Sequence, residues 1–150
     1  MSTILILVAN DSLGRFLVCG PGGTEMGVIE SIAHPEGRMK NRDMLTDSPG
    51  RSFDSMGGQR HSMESRQNPH RREEQTFART LSLRLMTQLE KKPFSGVFLI
   101  APPHLLGLLR KNLPDSLEKK WELTEIPKDF PDWLSDEELF AKVGSELGLK

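Results

Sequence analysis

Residues 4–33 read ILILVANDSLGRFLVCGPGGTEMGVIESIA, and this stretch decides the fold. Ile4 to Ala9 is a continuous run of leucine and β-branched residues, too short for a helix, which predicts a central strand buried on both faces. Asn10-Asp11-Ser12 with Gly14 supplies a turn, and Arg15 to Cys19 predicts a second strand. Gly20-Pro21-Gly22-Gly23 breaks the chain again, and Met26 to Ala33 predicts a third. Connections this short favour an antiparallel meander, because a parallel return needs a crossover of about a dozen residues or more.

Further along, the pattern changes to a helical one. Asn68 is a good N-cap and Pro69 fits the first helical position. Phe77, Leu81, Leu85 and Leu89 then recur on one face, and Pro93 stops the helix. Gly96 to Ile100 predicts a fourth, fully buried strand. Pro102-Pro103 leads into a helix with Leu105, Leu106, Leu108 and Leu109, and Trp121 to Ile126 predicts a fifth strand. Ser135 and Glu138 form a capping box ahead of Leu139, Phe140, Val143 and Leu147. The expected class is α/β, a mixed five-stranded sheet in the order βββ-loop-αβαβα with helices packed on it, in one domain over residues 1–150.

The segment between the meander and the long helix, residues 34–68, is too long for an ordinary connection in a compact domain. Extended to residue 72, it holds eight Lys/Arg against five Asp/Glu, while the rest of the chain holds twelve against sixteen. The net charge of −1 thus conceals a basic segment (+3) on a mildly acidic body (−4). Such a partition predicts an anionic partner. The alternative is a solvated segment whose arginines pair with Asp43, Asp47, Asp54 and Glu64. Arg71 and Arg72 fall in the first helical turn, where the helix dipole disfavours cations and a bound anion would relieve the conflict.

Cys19 is the only cysteine, which rules out an intramolecular disulfide and fits a reducing cytoplasm. Its place in a strand predicts a small buried apolar residue. The apolar N-terminal run lacks a basic flank and meets Asn10-Asp11 at once, so neither a signal peptide nor a membrane span is expected. The expected product is a cytoplasmic protein without a membrane association.

Several stretches carry a family likeness. They are Leu7-Val8-Ala9 with Asp11, His34-Pro35-Glu36-Gly37-Arg38, Asp47 through Asp54, Arg60-His61-Ser62-Met63-Glu64, Phe77-Ala78, and Leu99 through Gly107, with Lys128-Asp129 after the fifth strand. Through them the chain resembles the bacterial host attachment proteins over nearly its whole length. More distantly it resembles the middle domain of eukaryotic and archaeal peptide-release factors. That resemblance implies a ribonuclease-H-like fold with a GGQ tripeptide before the long helix, and here Gly57-Gly58-Gln59 stands at that place, followed by Arg60.

The release-factor likeness implies that Gln59, with Gly57 and Gly58, helps water attack the ester of peptidyl-tRNA. Paired glycines let a backbone approach RNA closely. The Gln59 backbone N–H could donate to the developing oxyanion while its side chain packs beside the attacking water and ribosomal RNA supplies the rest of the site. Arg51, Arg60, His61, Arg66, Arg71 and Arg72 are the expected RNA-binding residues, reading phosphates rather than sequence. The expected partner is the ribosome or tRNA, and no small-molecule cofactor is expected. A lone domain of this kind cannot read a stop codon by itself. The contrasting reading is a non-enzymatic interaction protein of an attachment or envelope-stress pathway.

No metal site is expected, because His34, His61, His70 and His104 with Asp43, Asp47 and Asp54 show no tight ligand spacing and read as solvated loop residues. Only Asp11 ends a strand in a suitable position, which argues against a two-metal nuclease. Ser52, Ser55 and Ser62 near His61 lack a nucleophile elbow.

Overall fold

The computed structural model describes residues 3–34 and 69–148. The elements are β1 (Ile4–Ala9), β2 (Leu13–Cys19), a single 3₁₀ turn at Pro21–Gly23, β3 (Gly27–Ala33), α1 (Pro69–Leu89), β4 (Gly96–Ala101), α2 (Pro103–Asn112), α3 (Leu117–Lys120), β5 (Glu122–Pro127) and α4 (Asp136–Glu146). The strands lie in the order β3-β2-β1-β4-β5. β2 pairs antiparallel with both β1 and β3, as the meander requires, and β4 lies parallel to β1 and to β5. The result is the expected mixed sheet of ribonuclease-H-like arrangement. One element was not expected: the single turn α3, too short to leave a periodic signature in sequence.

The pleat divides the core in two. Leu5, Leu7 and Ala9 of β1, with Phe16, Val97, Leu99 and Ala101, face α1, α2 and α3. Ile6 and Val8, with Leu17, Cys19 and Ile100, face Leu139 and Val143 of α4 and the preceding Phe130 and Leu134. Both stripes follow from a side-chain period of two on strands covered on both sides. Cys19 is buried as expected, and burial pushes its thiol pKa up, away from reactivity. The capping box of α4 forms, with the Glu138 N–H donating to Ser135 Oγ and the Ser135 N–H to Glu138 Oε1.

The long helix α1 is the main cover of the first face. Phe77, Leu81, Leu85 and Leu89 are buried along it, each contributing about 2 kcal/mol relative to exposure. The helix lies so close to the sheet that a Cβ on Gly14 would stand 2.6 Å from Leu81 Cδ2. Polar contacts fix its far half. Arg84 Nε donates to Glu30 Oε2 at 2.8 Å and Gln88 Nε2 donates to Glu30 Oε1 at 2.6 Å, tying α1 to β3. Burial by itself would raise the Glu30 pKa, but those hydrogen bonds and the charges of Arg84 and Lys91 outweigh it and hold the carboxyl below its ordinary value.

Gly14→Ala is expected to cost about 1–3 kcal/mol through overpacking, read from the urea midpoint. Most of that cost should vanish in a Leu81→Ala background, so additive costs would disprove the close contact. A second expectation concerns acid. Because the folded-state pKa of Glu30 is lowered, its stabilisation is complete above the unfolded value, about 4.3, and is lost as pH falls through the folded value. Glu30→Gln should therefore flatten the stability profile at the acid end, and an unchanged slope would refute the assignment.

Candidate functional site

The C-terminal ends of β1 and β4 lie side by side, and their connections leave in opposite directions, one to β2 and the other through α2 towards β5. In open α/β sheets this divergence opens the crevice where ligands bind. The side chains gathered there come from four places. They are Asp11 after β1, His34 after β3, Glu73 and Glu74 on α1, and His104 in the first turn of α2.

Asp11 is held by the turn that carries it. Asn10 Oδ1 accepts from the N–H groups of Ser12 (2.8 Å) and Leu13 (2.9 Å), and Asn10 Nδ2 donates to the Phe130 carbonyl at 2.8 Å. Ser12 Oγ donates to Asp132 Oδ2 at 2.6 Å. This Asx turn is the local logic of an Asn-Asp-Ser sequence after a strand, and it presents the intervening aspartate outwards. His104 is placed by Pro102 and Pro103, since an extended Pro102 caps α2 and its carbonyl accepts from the Leu105 and Leu106 N–H groups. His104 Nε2 lies 2.9 Å from Asp11 Oδ1 and 3.4 Å from Glu74 Oε2. Two carboxylates thus converge on one imidazole nitrogen.

His34 corrects an expectation. Instead of being a solvated loop residue it is buried, stacked on Phe77 with ring centroids 4.4 Å apart and planes 10° from parallel. Its backbone N–H donates to the Ser12 carbonyl at 2.7 Å, and its Nδ1 lies 2.8 Å from the Asp11 carbonyl. A carbonyl only accepts, so Nδ1 carries the proton. Nε2 points towards Glu73, 3.7 Å from Oε1. His34 therefore joins the end of β3, the Asp11 turn and the first turns of α1.

Arg51, Gly57, Gly58, Gln59, Arg60, His61 and Arg66 lie outside the described residues, as do Asp43, Asp47 and Asp54. Arg71 falls in the first turn of α1, and Arg72 is exposed on the same helix. Sequence reasoning singled out Asp11 and His104 separately but missed Glu74, and it had no means of joining the three. Among the described residues, Asp11, Glu74 and His104 form a set of metal-ligating side chains whose ligand atoms all lie within 4.8 Å of one another. The expectation of no metal site rested on spacing along the chain, and these ligands come from three separate elements. No helix among the described residues is long and apolar enough to cross a membrane.

Comparison with solved structures finds an archaeal protein at 14% identity and a TM-score of 0.49, covering 98% of this chain and 34% of that one. An archaeal translation termination factor is similar at 12% identity and a TM-score of 0.45, covering 97% of this chain and 39% of that one. The chain thus spans little more than a third of either protein. No curated protein matches its sequence. A family model does, over residues 5–139, and the chain belongs to the family described as "protein required for attachment to host cells".

Proposed function

We propose that this protein is a cytoplasmic RNA-binding factor acting on the ribosome or tRNA through the basic segment that joins β3 to α1. The observation that carries this reading is where that segment is mounted. His34, its last described residue on one side, is fastened to the Asp11 turn and stacked on Phe77 of α1, the helix to which the segment leads. Both ends are therefore held at one edge of the sheet, and the residues between, together with Arg71 and Arg72 in the first turn of α1, carry the chain's basic balance. Asp11, Glu73 and Glu74 make the edge itself acidic, so affinity for phosphates has to come from Arg51, Arg60, Arg66, Arg71 and Arg72.

Within this reading Gln59 promotes hydrolysis of the peptidyl-tRNA ester. Water packed beside the Gln59 side chain attacks the carbonyl carbon, the Gln59 backbone N–H donates to the oxyanion, and collapse releases the peptide acid and the ribose oxygen, which takes up a proton of the attacking water. Gly57 and Gly58 give the backbone the close approach this needs. The alternative reading is a non-enzymatic interaction protein of an attachment or envelope-stress pathway, and the family's description, which mentions attachment to host cells, favours its attachment branch.

Co-sedimentation with ribosomes at low and high salt separates the two. Association should fall steeply with salt, and replacing Arg51, Arg60 and Arg66 by Gln should lower the salt slope by about three. The absence of salt-sensitive association would sink the RNA reading. Where association is seen, Gln59→Ala should slow peptidyl-tRNA hydrolysis at least about tenfold through lost positioning, and equal rates would leave binding alone.

A further inference from the structure

We infer that Asp11, Glu74 and His104 form a binding site for a divalent transition-metal cation of the Zn²⁺ or Mn²⁺ class. The inference stands on this cluster alone and does not depend on the RNA-binding reading. Its chemistry comes first. Two carboxylates and an imidazole make a mixed oxygen and nitrogen donor set: the imidazole suits Zn²⁺ and the carboxylates suit Mn²⁺ as well, whereas Ca²⁺ and Mg²⁺ prefer oxygen ligands throughout.

The distances agree. Two atoms each about 2.1 Å from a shared ion stand roughly 3.0 Å apart at a right angle and roughly 3.4 Å apart at the tetrahedral angle. His104 Nε2 stands 2.9 Å from Asp11 Oδ1 and 3.4 Å from Glu74 Oε2, so the imidazole keeps the separation of a shared ion's ligands from each carboxylate, and all three ligand atoms lie within 4.8 Å of one another. An imidazole nitrogen carries at most one proton and can direct it to one carboxylate, whereas a divalent cation bonds to both and to the nitrogen as well. Binding moves the imidazole proton to Nδ1 and leaves the Nε2 lone pair for the metal.

The scaffold holds this arrangement ready. Asp11 sits on the Asx turn fixed by Asn10, Glu74 on a helix anchored by Phe77 and Leu81, and His104 on a helix opened by two prolines. Preorganisation of this kind lowers the cost of assembling a site. Three protein ligands leave coordination positions open, as in sites that bind water or an anionic ligand rather than purely structural ones. His104 is about half exposed and Asp11 about a third, so those positions open outwards.

The test is calorimetric titration of the full chain with Zn²⁺ and with Mn²⁺ after chelator treatment. One cation per chain is expected. His104→Gln and Glu74→Gln, each checked for folding by circular dichroism, should weaken binding by more than about tenfold, while Glu122→Gln, an exposed carboxylate at the opposite end of the parallel strands, should leave it unchanged. No binding, binding indifferent to His104→Gln and Glu74→Gln, or binding lost in Glu122→Gln would overturn the assignment.

Discussion

The burial of β1 is the constraint on which the rest of the structure depends. It hydrogen-bonds to β2 along one edge and β4 along the other, and its residues fill both halves of the core. A strand so enclosed cannot slip register without moving its apolar set to the wrong face. The turn that follows it inherits that fixity. Asn10 then spends its side chain on the turn, and Asp11 emerges at a position set by the centre of the sheet.

What could be read from the chain and what could not divide along a physical line. Ile4 to Ala9 declares a strand because burial on both faces leaves no polar alternation, and Ser135 with Glu138 declares a helix start because capping is local chemistry. The strand connections and the place of α1 follow from the same local signals. The site does not. Glu74 stands in Arg71-Arg72-Glu73-Glu74, a charged run that reads as a solvated helical turn, and nothing along the chain pairs it with Asp11 or His104. His34 looked solvent-bound because a polar stretch follows it, whereas its burial depends on Phe77, a residue brought close only by the packing of α1.

The chain is also divided electrostatically. Its positive excess lies in the segment after β3 and the first turn of α1, and the sheet edge from which that segment departs bears carboxylates. A polyanion drawn by the first is opposed by the second. A cation at Asp11, Glu74 and His104 would remove that opposition and offer an extra ligand for a phosphate oxygen. The two proposals thus reinforce each other physically, although each rests on its own observations.

The contact of Gly14 with Leu81 acts as an alignment gauge. Gly14 belongs to the same hairpin as Asp11, and Leu81 lies two helical turns from Glu74, about 10 Å along a rigid rod. The clearance between one glycine and one leucine is therefore one of the contacts that limit how closely the helix approaches the sheet. A methyl group placed at Gly14 would thus press on the same helix that carries Glu74, a residue it never touches.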